Sequence, residues 1–351
     1  MWWDGENGVK VKIENAEKRA VVIFPQVGGA AHLAYDHTSG GCEMLMKYKN
    51  IFAIIGSLVI VLVSFSFLYA QESSEVQVGA EKLAKNLYMI WDSGGKGNTV
   101  VLTGDDGVLM IDTKVEDSVD KLLAKIAELS EKPIRFAINT HAHFDHVGGN
   151  EKVTHTGATI VAHENVRKHM SMEHDMKMLN IKVPPSPETA RPLVTFKNEI
   201  TFHLNGEDVK VFHVGPGHTD GDAVIYFQKA NVIHMGDLYF EGLYPYIGIY
   251  SGGSINGMIK VINQILPMID KKTKIVPGHG PVSDKVQLQK YVSMLTAVRD
   301  NVSRLMQEGH TMEEVVAAKP TRAFDKKWGK GFLPPDQFAK LVYMDLSPEL
   351  P

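Results

Sequence analysis

Two short apolar runs, Thr99–Leu102 and Val108–Ile111, flank Gly104-Asp105-Asp106-Gly107, a pairing that predicts a β-hairpin. The period then changes. Val119, Leu122, Leu123, Ile126 and Leu129 recur at helical spacing within Val115–Leu129, a stretch that ends before Pro133. Ile134–Ile138 reads as a buried strand and Thr159–Ala162 as another, followed by a helical stretch near Asn165–Leu179. Pro184, Pro185, Pro187 and Pro192 mark a loop. Strand-like segments return at Glu199–Leu204, Val209–His213, Ala223–Gln228 and Asn231–His234. Ile255–Met268 and Val286–Glu308 read as helices, and Thr311-Met312-Glu313-Glu314 as a capping box opening one more. This order of strands and helices, without a fixed-period repeat, predicts a layered α/β sandwich with sheets inside and helices outside. Residues 76–310 form its main domain and residues 311–351 a helical extension packed on it.

An earlier apolar run has a different meaning. Lys47 and Lys49 precede an uncharged stretch from Ile51 to Tyr69, and Ala70 follows it. Basic, apolar and small residues in this order make residues 46–70 either a cleaved signal peptide or a membrane anchor, the run being long enough to span a bilayer. Both readings export the domain to a periplasmic or other extracytoplasmic space, with contact to the membrane only through residues 51–69 if they stay attached. Residues 1–45 then read as a misassigned or disordered extension, translation starting at Met46. A peptide from residues 1–45 in mass spectra of the native protein would overturn that reading.

Composition narrows the chemistry. Hydrophobic residues make up 44% of the 351, enough for a sizeable core, and the formal net charge of −4 argues against nucleic acid as a partner. The single cysteine, Cys42, precedes the domain, so no thiol there can be a metal ligand or nucleophile.

In His141-Ala142-His143-Phe144-Asp145-His146, four groups that bind zinc fall within six residues. On an extended chain positions 141, 143 and 145 share a face, and a tight loop can splay the rest toward a second ion. Three glycine-rich turns add further candidates: Gly215-Pro216-Gly217-His218-Thr219, Met235-Gly236-Asp237-Leu238 and Pro277-Gly278-His279-Gly280. Together, in this order and spacing, these motifs resemble the metallo-β-lactamase superfamily over roughly residues 80–285.

The resemblance implies a four-layer αββα sandwich and a two-metal site. His141, His143 and His218 correspond to the ligands of one zinc, and Asp145, His146 and His279 to those of a second. Asp237 corresponds to a carboxylate bridging the two. Iron or manganese remain alternatives for the same ligand types. A hydroxide shared by the ions is the implied nucleophile, with Asp145 as the catalytic group that orients it and relays a proton. Asp112, after an apolar strand, and Thr219 and Asp222, after a ligand, are candidates to hold ligand rings, as is Asp220.

The reaction implied is hydrolysis of an ester, lactone, thioester or amide in a small-molecule substrate. Hydrolysis of β-lactams is the alternative, but Asp237 stands where the cysteine-using lactamases have Cys, and Leu238-Tyr239-Phe240 offers no Lys for a drug carboxylate. A non-catalytic metal-binding protein is the alternative from another class. Of the remaining histidines, His203, His213 and His234 read as packing or surface residues, and His155, His169, His174 and His310 as solvent-facing. His163 closes a strand. Met170, Met172, Met176 and Met178 read as core packing or as a lid, and the Tyr- and Gly-rich stretch 239–256 as a substrate wall or an ordinary loop.

Overall fold

The structure, a computed structural model, describes residues 2–4, 10–14, 19–23, 32–35, 76–176 and 181–347. The expected signal or anchor, residues 46–70, lies outside the described residues. Among the described residues, no helix is long and apolar enough to cross a membrane. Residues 1–45, read above as an extension, hold four short strands, β1 (Trp2–Asp4), β2 (Lys10–Glu14), β3 (Arg19–Ile23) and β4 (His32–Tyr35). Each pairs antiparallel with the next. Residues 1–75 form one unit and 76–351 another.

The second unit opens with β5 (Val78–Ala84), β6 (Leu87–Asp92), β7 (Thr99–Leu102) and β8 (Val108–Ile111). These pair antiparallel, so the predicted hairpin is the turn between β7 and β8. Helix α1 (Val119–Leu129) leads to β9 (Ile134–Ile138), which lies parallel to β8. The short helices α2 (Phe144–Val147) and α3 (Asn150–His155) precede β10 (Thr159–His163) and α4 (Glu164–Met170). Strands β11 (His174–Met176) and β12 (Ile181–Val183) pair with each other alone, and β13 (Val194–Phe196) joins β10 in parallel. The helix read over Asn165–Leu179 is thus corrected: it stops at Met170, where the Ser171 N–H bonds back to Lys168 and the chain turns into β11.

A second sheet runs β14 (Glu199–Leu204), β15 (Glu207–Phe212), β16 (Val224–Phe227), β17 (Val232–His234) and β18 (Lys274–Val276). All pairs are antiparallel except β17 with β18. Between these strands lies α5 (Ile255–Ile265), and after them α6 (Lys285–Gln307), α7 (Met312–Ala317), α8 (Asp325–Trp328) and α9 (Pro335–Leu346).

Strand alternation assigns the layers. In β8, Leu109 and Ile111 face the space between the sheets, while Val108 and Met110 face α1. In β16, Ile225 and Phe227 face the first sheet, while Val224 packs with α5, α6 and α9. Helix, sheet, sheet, helix is therefore the αββα order expected. Two caps hold helices on the outer layer as the sequence predicted or allowed. Thr311 and Glu314 form the capping box of α7, and the Ser254 hydroxyl accepts from the Gly257 N–H at 2.9 Å to start α5.

The topology also fixes where chemistry collects. Strands β8 and β9 are parallel, with Ile111 beside Ile138, so the segments beginning at Asp112 and Asn139 emerge together. Strands β17 and β18 are likewise parallel, with His234 beside Val276, and deliver Asp237 and His279 side by side. Turns that follow the carboxyl ends of parallel strands form the crevice in such folds.

Candidate metal centre

The segment after β9 holds its side chains through Asp112. The Thr140 N–H donates to Asp112 Oδ1 at 2.7 Å, and the Thr140 hydroxyl and His146 Nδ1–H donate to Asp112 Oδ2, each at 2.7 Å. His143 is extended, φ −71° and ψ 146°, and caps α2, so Asp145 and His146 sit on a single helical turn. The change from extended chain to helix divides the six-residue motif into two pairs.

Each pair gathers partners from the second sheet. His141, His143, His218 and Asp237 bring ligand atoms within 4.8 Å of one another, and Asp145, His146 and His279 do the same. His143 Nδ1 lies 3.1 Å from His141 Nε2 and 2.8 Å from His218 Nε2. Asp145 Oδ2 lies 3.2 Å from His279 Nε2 and 3.8 Å from His146 Nε2. Asp237 stands between the groups, its Oδ2 3.7 Å from His141, 3.6 Å from His218 and 3.5 Å from His279, and its Oδ1 3.1 Å from His146. All seven residues assigned from the sequence thus converge.

Two of the converging atoms, His146 Nε2 and Asp237 Oδ1, are buried and face each other at 3.1 Å without forming a hydrogen bond, and neither has another hydrogen-bond partner. A buried polar atom left unpaired costs free energy, and imidazole and carboxylate atoms turned inward are a donor set suited to zinc. The outward nitrogens are occupied: His218 Nδ1 donates to the Tyr246 carbonyl and His279 Nδ1 to the Gly95 carbonyl, each at 2.9 Å, while His141 Nδ1 is 3.0 Å from the Thr140 hydroxyl. This fixes Nε2 of His141, His146, His218 and His279 toward the cluster. The residues present fit two metal ions.

The electrostatics of the bare site are uneven. Burial, helped by neighbouring histidines, pushes His141 well below the ordinary histidine value, His218 below it and His143 down to about 3. Burial acts the same way on His146 and His279, but the carboxylates overcome it. Asp237, Asp112 and Asp145 hold His146 well above its ordinary value, and Asp237 and Asp145 raise His279 to about 10. Burial pushes both carboxyls up, yet His146 and His279 keep Asp145 and Asp237 below the usual carboxylate range.

The supporting residues differ in part from those proposed on sequence. Asp112 holds the ring of His146. Thr219 does not hold His218, because the Tyr246 carbonyl does. Asp222 instead accepts from the Thr219 hydroxyl at 2.6 Å and from its N–H at 3.1 Å, bracing the turn, and burial pushes its carboxyl up to about 7. Asp220 Oδ1 accepts from His169 Nε2 at 2.7 Å, and His169 is buried rather than solvent-facing. His155, His203 and His310 are exposed, while His234 is fully buried with Nε2 4.0 Å from Asp112 Oδ2. His163 accepts the Asn165 N–H that starts α4 and stacks on His213 at 4.1 Å.

Two features went unread in the sequence. One is the loop from Asp92 to Asn98, which lies over Asp145, His146 and His279, with the buried Lys114 beneath it. Its glycines at 94, 95 and 97 were the available signal. The other is Phe332, whose ring centroid is 6.3 Å from that of His279.

Beside His143 a pocket is lined by Phe144, Val183, Tyr246, Tyr250, His169 and His174, among others. Among the described residues, no lysine or arginine lines it. The stretch 239–256 is therefore divided: Tyr246, Gly248, Tyr250 and Ser251 form a wall of this pocket, and Tyr239 and Tyr244 are fully buried in the core. Met170 is core packing and Met172 is exposed, whereas the side chains of Met176 and Met178 lie outside the described residues.

Comparison with known proteins gives the same frame. Curated relatives include a protein named "Metallo-beta-lactamase type 2" from Elizabethkingia meningoseptica, 25% identical over 235 residues, 65% of this chain and 88% of that protein. Another is "Probable metallo-hydrolase YqgX" of Bacillus subtilis, 27% identical over 196 residues, 54% of this chain and 87% of that one. Among solved structures, a metallo-beta-lactamase from Pontibacter korlensis aligns with a TM-score of 0.52 at 22% identity, over 63% of this chain and 99% of its own. The sec-alkylsulfatase Pisa1 from Pseudomonas sp. aligns at 0.56 with 16% identity, over 76% of this chain and 50% of its own. The family model described as the metallo-beta-lactamase superfamily matches residues 92–279, a span that holds all seven converging residues, and the chain belongs to that superfamily.

Proposed function

We propose that this protein is an exported, binuclear zinc hydrolase that cleaves uncharged esters or thioesters bearing an apolar acyl group. The observation that carries the dimetal reading is Asp237, which reaches histidines of both groups while its buried Oδ1 and His146 Nε2 face each other at 3.1 Å without a hydrogen bond. Two zinc ions held by these residues would supply Lewis acidity and lower the pKa of a bound water molecule. The chain's own residues do the rest. Asp145, a carboxylate beside His146 and His279, would have the charge to orient the attacking water. Its Oδ2 faces His279, so Oδ1 takes the proton and returns it to the leaving oxygen or sulfur. Phe144, Val183, Tyr246 and Tyr250 would seat the acyl group and exclude water around it.

The apolar lining that Phe144, Val183 and Tyr246 give that pocket is what favours a neutral, apolar substrate over a carboxylate-bearing lactam. The test is a panel on the zinc-loaded full-length protein: neutral aryl esters and thioesters of graded acyl length, lactones, amides, and a penicillin and a cephalosporin. We expect kcat/KM to rise with acyl length. Preferential turnover of the lactams would replace this reading with the lactamase one, and two bound zincs without any turnover would leave a binding protein.

A further inference from the structure

We propose that Lys114 is a positioning residue for the second metal, fixing the loop Asp92–Asn98 over Asp145, His146 and His279. This rests on the dimetal reading above. Lys114 has a left-handed backbone, φ +61°, and no exposed surface, two features that an ordinary lysine lacks. Its ammonium donates to the Lys96 carbonyl at 3.0 Å and the Gly97 carbonyl at 2.5 Å, and pairs by charge with Asp92 Oδ2 at 3.1 Å. Asp92 closes the loop from the other side, with Oδ1 accepting from the Lys96 N–H at 3.1 Å.

The held loop touches each member of the second group. A Cβ on Gly97 would lie 2.8 Å from the Asp145 carbonyl oxygen and 2.9 Å from His146 Cε1, so the backbone there is in close contact with both residues. The Gly95 carbonyl accepts from His279 Nδ1. Asn98 then ties the loop to the His279 turn through the carbonyls of Pro277 and Gly280, at 3.0 and 2.8 Å. On the other side of Lys114, its carbonyl accepts from the Gly149 N–H, and Asp112 two residues earlier holds His146. One three-residue segment therefore orients His146 directly and His279 through the loop. His141, His143 and His218 make none of these contacts.

The sign of the effect separates positioning from simple charge. A buried cation near a metal site repels the incoming ion, so if charge alone mattered, removing it would tighten binding. If Lys114 positions the site, removing it frees the loop and weakens binding, typically about 10–100-fold for the partners of metal ligands. The experiment titrates metal-free, full-length Lys114→Met and Asp92→Asn proteins with Zn2+ against a chromophoric chelator, alongside the unaltered protein. Cobalt(II) spectra of both sites and melting of the metal-free form are recorded in parallel. Asp92→Asn keeps the Oδ1 acceptor and so tests the same strut if Lys114→Met does not fold. The expected result is an unchanged first association constant and a second one lowered at least about tenfold, with the spectrum of the first site preserved. Tighter second binding, or equal weakening of both sites, would overturn the proposal. Two zincs bound by the unaltered protein without any ester turnover would count against the catalytic reading instead, and would leave this test of the second site standing.

Discussion

The Nδ1 of His146 donates to the Oδ2 of Asp112 across 2.7 Å, at a residue with a left-handed backbone, φ +62°, and no solvent exposure. The same carboxylate accepts from the Thr140 N–H and hydroxyl, so one buried group sets both ends of the six-residue motif. Asp112→Asn is nearly isosteric but places an N–H2 where His146 needs an acceptor. His146 must then move its proton to Nε2, the atom turned toward the metals. We expect metal content to fall from two ions to one, with second-ion affinity down about 10–100-fold. Asp112→Ala also strands buried donors, at roughly 1–3 kcal/mol each, so it lowers the melting temperature of the metal-free protein where Asn changes it less.

Metal loading will release protons unequally. His141, His143 and His218 lie below the ordinary histidine range and are neutral at pH 7 before any ion arrives. His146 and His279 are held protonated by Asp237, Asp112 and Asp145, and must lose their protons to bind metal. Calorimetric titration in buffers of different ionisation enthalpy should find little release with the first ion and up to about two protons with the second. Second-ion affinity then rises with pH up to about 10 as His279 deprotonates. The metal-free fold follows the opposite sign. His279 has a folded value raised from 6.5, so its stabilising ion pairs are complete below pH 6.5 and fade as pH climbs toward about 10. Equal release with both ions would contradict this account.

Gly278 approaches the Asp237 carboxylate so closely that a Cβ there would fall 1.9 Å from its Oδ1 and 2.7 Å from the Gly236 carbonyl carbon. Its φ does not demand glycine, so the constraint is space alone. Gly278→Ala should displace Asp237 and cut turnover by roughly 10²-fold or more, as small displacements at reacting groups do. Gly157→Ala, where nothing lies within 4 Å, should lose only stability.

These outcomes also show what a sequence can and cannot disclose. The hairpin strands and Ile134–Ile138 were legible because each is a short apolar run bounded by turn residues, and their limits coincide with β7, β8 and β9. The seven converging residues were legible because chelating groups crowd into six residues and three glycine turns. The partners of the ligands were less so. Tyr246 and Gly95 orient His218 and His279 through carbonyls, which every residue possesses, so no side-chain pattern marks them. Lys114 was hidden for a related reason: a lysine in a loop is ordinarily solvated, and only the arrangement of two carbonyls and a carboxylate from residues 92–97 accounts for its burial. The methionine-rich stretch misled because apolar spacing continues past Met170 after the helix itself has ended.

The C-terminal segment makes the last prediction. Phe332 lies between α8 and α9, 53% exposed, with its ring centroid 6.3 Å from His279 and 6.4 Å from Phe240. An aromatic side chain so exposed contributes little to the core, and surface substitutions usually change stability by within about 0.5 kcal/mol. Its proximity to a metal ligand instead suits contact with the part of the substrate that leaves. Phe332→Ala should therefore leave the melting temperature and both zinc affinities unchanged while raising KM severalfold for esters with aryl leaving groups. Esters with methyl leaving groups should show no such rise. Thr311→Ala provides the converse control. It removes the hydroxyl that accepts the Glu314 N–H in the capping box, costing about 1 kcal/mol of stability with KM unaltered. Steady-state kinetics on the two ester series, with melting curves for both variants, decides between a substrate wall at Phe332 and a merely exposed ring.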